Sequence, residues 1–543
     1  MPLDVALHLF ANPFCSGIKA TYQILESVKM KLNTVVLISI VLFSALCCFG
    51  QGDLPLRIEI ESKSDEAGYR VIPSGNNGFV LFYETTVVQD SYKFWVIVLY
   101  NQFMQETWRK DVPVYQNMSY RRKVLAEDNL FLFFHDTEKK KKENYNYQIL
   151  KIDAVSGRYE LFSGNLPDDA RLVDFDVLGE HLVAGMDVGE ENTMIFSLNL
   201  TTKETKIVYE LAEVSSRFEN IYIDTLNNSY IGIINVFVSK TENYLLLKEF
   251  DFSDVNVGSV IIRPQENKKL NSARISAISK TERLLIGTYD FVKGSSVDKK
   301  NYFKNSSTGF YSIKIIDNSP QTGHYYNFLE LENMTGYLKS KDYQHALKKA
   351  SKSEESPEKF SPEFDLLLHD IINKDSVHYF IGEAYYEEYH TVTSTYYDYY
   401  GRPMPVSYEV FDGYRYFNTF ISCFDRNGNK LWDNGMEIFN ILTFDLINRV
   451  NIYFAGEETV LAYNREGKIG AKIIKGPVTI EGIEYYPLES MYVNDKIMAD
   501  SKSSMEYWYD NYFLAYGFQT IKNNSRSETD KRVVFYINKV SFQ

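Results

Sequence analysis

The chain has 543 residues and a formal net charge of −14, and it carries 42 tyrosines, 36 phenylalanines and only 14 prolines. That acidic balance disfavours nucleic acid and anionic membrane surfaces as partners, because either would meet like charge. With 45% hydrophobic residues the composition excludes a disordered chain, and the abundance of aromatics suits pleated, half-buried surfaces.

In chain order, residues 1–29 fit no folded element and read as a spurious upstream extension, since Met30 makes a good start. Residues 30–50 then read as a secretory signal. Lys29 and Lys31 precede about a dozen apolar or small residues from Thr34 to Leu46, and Cys48-Phe49-Gly50 offers small residues where a signal peptidase looks. Cleavage before Gln51 is expected. The run is shorter than the roughly 20 apolar residues a spanning helix needs. The rivals are an uncleaved anchor formed by residues 34–49 and lipidation at Cys47 or Cys48. Residues 1–50 carry Asp4 and Glu26 against Lys19, Lys29 and Lys31, so the remainder is near −15. Cys423 is the single cysteine left after Gln51, which excludes an intramolecular disulfide there.

From Gln51 onward one pattern recurs: a β-rich run, a polar turn, a second run, an Asp- or Asn-bearing hairpin tip and a third run. Tips at Asn101, Asp153, Asn199, Asp251, Asp317, Asp425 and Asn464 are separated by 52, 46, 52, 66, 108 and 39 residues. A multi-stranded unit of about 40–50 residues is the blade period of a β-propeller. The expected fold is therefore all-β, a single propeller domain over residues 51–543 with seven or eight blades. A large β-sandwich array is the alternative. The run from Val533 to Phe542 is expected as an inner strand of an eighth blade, completed by the N-terminal strand Leu56–Glu61.

Two insertions stretch the period. Within 327–375, Gly336–Lys352 reads as helical, and Ser361-Pro362-Glu363 reads as a second helix start leading into Phe364–Ile371, so a small helical insertion is expected. The other is 381–416, a tyrosine-rich hairpin. Its Tyr385, Tyr386, Tyr389, Tyr396, Tyr397, Tyr399, Tyr400, Tyr414 and Tyr416 form the candidate recognition surface, because a rigid apolar ring with a polar tip suits sugars, peptides and protein partners. The alternative is a long hairpin whose rings zip across strands for structural reasons alone.

Four segments carry a resemblance: Gly382–Tyr386, Tyr397–Pro403, Phe411–Tyr416 and Phe424–Asn434. They resemble a family of uncharacterised exported proteins from Bacteroidota with a β-propeller-like pattern, over most of the chain after Gln51. The resemblance implies export and lineage and brings no activity, cofactor or catalytic residue.

Catalytic signatures are missing. No Gly-x-Ser-x-Gly elbow, His-Glu-x-x-His, Walker loop or helix-opening Gly-x-Gly-x-x-Gly occurs, so no catalytic residue and no cofactor is assigned. Glu387 and His390 would share one face only on a helix, and their surroundings read as β, so no metal site is assigned. His369 is expected on a helix and His378 on a strand. Asp425-Arg-Asn427-Gly-Asn429 copies half a calcium loop but lacks the closing glutamate in register, and Asn427-Gly428 is a strong hairpin turn. The run Lys139–Lys142 reads as a solvated hairpin tip.

Two functions follow. The first is an exported binding or scaffold protein, periplasmic or associated with the cell envelope, taking an unknown protein or glycan and meeting the membrane only through an uncleaved or lipidated signal segment. The second is a glycan-active or other hydrolytic propeller with acidic residues at the central channel.

Overall fold

The computed structural model describes residues 56–542 except 66–67, 137–144, 240, 293–305, 332–361, 398, 493 and 524–530. The expected signal segment and the extension before it lie outside these residues. So do Gly336–Lys352 and the lysine run 139–142. Residues Leu56–Gln543 form one compact unit.

That unit is a β-propeller of eight antiparallel sheets. Blades 1 to 4 are four-stranded meanders over 70–115, 119–164, 170–211 and 216–262. Blade 5 covers 268–327 apart from Ser306–Ser307, which pair with Phe364–Asp365 of blade 6; blade 6 otherwise covers 364–443 and blade 7 covers 451–487. Blade 8 takes three strands from 496–541, and its fourth strand is Arg57–Glu61 from the other end of the chain. The first strands of neighbouring blades touch one another from 119–126 through to 364–368, and again from 451–455 through 496–509 to 70–73. First strands therefore line the axis. The sheets form a ring, not the stacked pairs of a sandwich.

Alternation along each middle strand explains why the ring holds. In Asn129–His135 of blade 2, Leu130, Leu132 and Phe134 pack against blade 1, while Phe131 and Phe133 pack against blade 3. Each blade is thus apolar on both faces, and eight hydrophobic clusters fill the eight seams of the ring. The seam between blades 3 and 4 is so close that a Cβ at Gly185 would lie 1.9 Å from the Phe218 ring. Only glycine fits there.

The expected hairpin tips connect the third and fourth strands of blades 1 to 6. At five of them the Asx side chain accepts the turn's own amides: Asn101 Oδ1 from Phe103 N (2.9 Å) and Gln105 N (3.0 Å), and likewise at Asp153, Asn199, Asp251 and Asp425. The sixth, Asp317-Asn318, turns with both residues at positive φ (47° and 59°).

Three expectations are corrected. Asn464 sits at the turn between the second and third strands of blade 7, not the third and fourth; the equivalent turn is at Gly476, which accounts for the short spacing of 39. The strand Arg532–Ser541 is the third of blade 8, not an inner strand, although it pairs with Arg57–Glu61 as expected. Phe364–Leu368 is a strand and not a helix, with Phe364, Leu366 and Leu368 buried on one side. Its five residues satisfy either period, and pairing of Asp365–Leu368 with Gly382–Tyr385 decides for β. His369 accordingly follows a strand, while His378 lies on one.

Closure rests on Arg57 as well as on the ladder from Arg57↔Asn538 to Glu61↔Val534. The buried guanidinium pairs with Glu59 (2.8 Å) and donates to Gln519 Oε1 (2.7 Å), Asn538 Oδ1 (2.9 Å) and the Glu489 carbonyl (3.2 Å), and it lies over the Tyr536 ring. Arg532 bonds Glu59 (2.9 Å) and Asp495 (2.7 Å) beside it. Arg57→Ala leaves buried partners uncompensated, so a loss of about 3–5 kcal/mol is expected, with faster amide exchange across Arg532–Ser541. Arg109→Ala, whose pair with Glu106 is surface-exposed, should cost less than about 1 kcal/mol. Urea unfolding with hydrogen–deuterium exchange compares the two.

Candidate functional site

Of the two insertions, 327–375 runs from the end of blade 5 to blade 6 with 332–361 outside the described residues, and 381–416 lies within blade 6. Its second and third strands, Val377–Tyr397 and Pro403–Phe424, run far past the blade edge as one hairpin. Asp365↔Tyr385 is the last pair to the first strand, and Tyr414↔Thr443 is the last to the fourth. Beyond them 386–397 and 403–413 form a two-stranded ribbon about 40 Å long, with no further strand along either edge among the described residues. Solvent reaches both of its faces.

The nine expected tyrosines split at this boundary. Tyr416 (1% exposed) and Tyr385 (7%) are core residues of the seam with blade 7, and Tyr414 packs against that core half-buried. Tyr416 Oη donates to the Ile447 carbonyl (2.7 Å) and accepts from Ile447 N (3.1 Å), which ties it into the frame. Burial raises the pKa of Tyr385 and Tyr416. Tyr386, Tyr389, Tyr396, Tyr397, Tyr399 and Tyr400 are exposed, Tyr399 at 97%. They are the part of the surface a ligand can reach.

A ladder of rings joins the two groups: Tyr416 to Tyr385 (6.1 Å), Tyr385 to Tyr414 (5.6 Å), Tyr414 to Phe411 (5.2 Å), and Phe411 to Tyr389 (5.4 Å) and to the exposed Phe444 (6.0 Å). Rings therefore do zip across strands at the base of the hairpin, while those toward its tip have solvent around them. Polar side-chain contacts brace the base. Arg415 grips Glu388 in a fork, which lowers the pKa of the Glu388 carboxyl, and His390 Nδ1 meets Asp412 Oδ1 at 2.6 Å. Glu387 accepts instead from Tyr389 Oη (2.6 Å), away from His390.

A second concentration of charge lies on the first strands around the axis. Asp174 of blade 3 pairs with Arg122 of blade 2 (3.2 Å) and accepts from Asn220 Nδ2 (2.7 Å) and Ile221 N (3.0 Å) of blade 4. Asp176 has its pKa pushed up to about 6, first by burial and further by Asp174 and by Asp370 of blade 6 across the axis. Glu219 of blade 4 is pushed up to about 7 by burial, against the pull of Arg274 and a hydrogen bond from Ser272. A carboxyl titrating near neutrality can give or take a proton.

Sequence reasoning offers Glu383 only as one of several acidic residues that could converge, and it missed the role the structure gives it. Its fully buried carboxylate accepts from Arg449 N (2.9 Å to each oxygen) and Val450 N (3.0 Å), which lead directly into the first strand of blade 7, and meets His369 Nε2 at 2.7 Å, so it staples blade 6 to the start of blade 7. No linear pattern marks it; burial on a strand that reads as tyrosine-rich would have been the signal. Asp425, as expected, spends its carboxylate on its own turn. Among the described residues no three His, Cys, Asp or Glu side chains gather as a metal site, and no helix there is long and apolar enough to cross a membrane.

No family model matches the chain and no curated protein matches it. Solved structures do overlay on it. The propeller domain of the trilobed protease from Pyrococcus furiosus is 9% identical and covers 78% of this chain and 95% of its own at a TM-score of 0.32. A polysaccharide lyase is 8% identical with coverage of 90% and 100% at 0.37. Prolyl oligopeptidase B from Galerina marginata is 10% identical with coverage of 85% and 56% at 0.35. No function passes to this chain from overlaps of that order.

The split of the tyrosines predicts two classes of variant. Tyr416→Ala should cost about 3–5 kcal/mol in urea unfolding, and Tyr399→Ala or Tyr400→Ala should stay within about 0.5 kcal/mol. For Glu219 the folded protein holds its proton to higher pH than the unfolded chain does, so stability falls as pH rises from the ordinary 4.5 through about 7. Glu219→Gln should therefore melt above wild type at pH 8 and close to it at pH 5, as read by thermal scans at both values.

Proposed function

We propose that this chain is an exported binding or scaffold protein of the cell envelope. In this reading the eight-bladed ring is a rigid frame, and the blade 6 ribbon, with its six exposed tyrosines, makes the contacts with a protein or glycan partner. The observation that carries it is the ribbon: two strands leave a fully packed blade and hold large rings in water on a two-faced arm, which contributes nothing to any seam. Loops and arms set on a rigid scaffold are where binding residues concentrate. Export rests on the sequence of residues 30–50, and the acidic charge argues against nucleic acid as the partner.

Replacing 386–412 by an Asn-Gly turn should leave the melting temperature within about 2 °C, because no seam residue is removed. The trimmed protein should lose its partners in pull-downs from the source cells; retention of every partner would end this reading. Mass spectrometry of the natural N-terminus should find Gln51.

A second reading, a glycan-active or other hydrolytic propeller, is favoured by Glu219 and Asp176 at the axis, whose raised pKa values are those a general acid requires. Its test is turnover of a polysaccharide panel by the purified protein, with Glu219→Gln and Asp176→Asn expected to abolish any activity found.

A further inference from the structure

The two edges of the ribbon are not equivalent, and the prolines explain why. Pro403 and Pro405 pair with Tyr397 and Thr395. A proline has no N–H to give, so both pairs are of the kind that exchanges no hydrogen bonds, with the backbone groups of the paired residues turned away from the partner strand. No register shift intervenes between Tyr389 and Tyr397. Thr391, Thr393 and Thr395 therefore all turn their N–H and C=O groups outward along the first strand, whereas the opposite edge has lost two of its outward N–H groups at 403 and 405. One edge is blunted against strand pairing, and the other, which has no partner strand beyond Tyr385 among the described residues, is lined with β-branched residues.

The two faces differ as well. Thr391, Thr393 and Thr395 share a face with Glu387 and Glu409, and the Thr393 and Ser407 hydroxyls bond across it at 2.9 Å. The other face carries Val392 and Tyr396 on the first strand, opposite Tyr408 and Met404 on the second. Glu388 is paired with Arg415 and Asp412 is bonded to His390, whereas among the described residues no cationic side chain pairs with Glu387 or Glu409.

We infer that the Thr391–Thr395 edge is a strand-addition site, which takes an extended basic segment of a partner polypeptide as a third strand of the ribbon. The segment alternates apolar side chains over Val392 and Tyr396 with lysine or arginine over the threonine face near Glu387 and Glu409. Main-chain bonds to the three outward threonines give affinity, and the charge of the threonine face selects a basic strand. This rests on the binding reading above and specifies its partner chemistry.

The test uses the full-length protein and two fluorescein-labelled decapeptides, (Val-Lys)5 and (Val-Glu)5, read by fluorescence anisotropy. (Val-Lys)5 should bind and (Val-Glu)5 should bind at least about 10-fold more weakly. Thr393→Pro removes one outward N–H of the open edge, and Ser407→Pro removes one from the blunted edge. Both lose the same hydroxyl contact and both spare the ladder within the ribbon. Thr393→Pro should weaken (Val-Lys)5 at least about 10-fold and Ser407→Pro less than about 2-fold, with exchange slowed at 391–395 alone in the bound protein. Equal effects of the two prolines, equal binding of the two peptides, or no binding at all would overturn the proposal. So would sedimentation showing a dimer that Thr393→Pro dissociates, since the occupant would then be a second copy. If the peptides fail while trimming the ribbon still abolishes partner capture, strand addition is wrong and the binding reading stands; if the peptides behave as stated and trimming changes no partner, the binding reading falls.

Discussion

The pairing of Arg57–Glu61 with Arg532–Ser541 is the constraint on which the ring depends. Each blade is apolar on both faces, so none is stable until it has two neighbours, and the last seam can form only when chain ends 481 residues apart meet at Arg57 and Asn538. Seven blades can stack progressively as the chain folds, but blade 8 lacks its outer strand until the ends join. Closure is thus the most non-local event in the molecule, and loop-closure entropy places it late and makes it slow. The Arg57 cluster answers this by concentrating several charge-assisted bonds at the point of closure, where a bare five-residue ladder would fray.

Polar links recur at other seams and follow the same logic. Arg283 of blade 5 bonds Asp224 (3.0 Å) and Glu249 (3.0 Å) of blade 4, Asp187 of blade 3 accepts from Phe218 N of blade 4 (2.8 Å), and Glu383 of blade 6 caps the start of blade 7. Hydrophobic seams alone permit two sheets to slide, because apolar contact is non-directional. A buried carboxylate with fixed donors admits one register. Such groups set the rotation of each blade about the axis, and the apolar seams supply most of the stability.

Much of this was legible in the sequence because it is local. Asx turns are chosen by residues two to four apart, so Asn101, Asp153, Asn199 and Asp251 marked their blades correctly. Asn464 misled because a second–third turn and a third–fourth turn use the same residue types, and only the pairing partner distinguishes them. The Phe364–Leu368 strand was lost for the converse reason: five residues preceded by Ser-Pro-Glu carry a good helix-start signal, and a tertiary partner overrode it. At the candidate site, the tyrosines were visible as a group, but which of them face water was not. Tyr385 and Tyr416 differ from Tyr399 by where the blade ends, and that boundary is fixed by strands far away in sequence.

The tyrosine-rich insertion lies in one blade, and this breaks the symmetry of the ring in a useful way. An eightfold frame of similar blades offers eight similar edges, with nothing to orient a partner. Among the described residues blade 6 alone sends its middle hairpin outward, and the ladder from Tyr416 through Tyr385, Tyr414 and Phe411 to Tyr389 anchors the arm in the seam with blade 7. Force or ordering at the exposed rings is therefore borne by a packed core and not by a loose loop, and only the part beyond Tyr389 is free to adapt. An isolated two-stranded ribbon is marginal in water. Rooted in a blade, the same ribbon keeps its register, so its open edge and its two faces are presented in a defined order to whatever pairs with them.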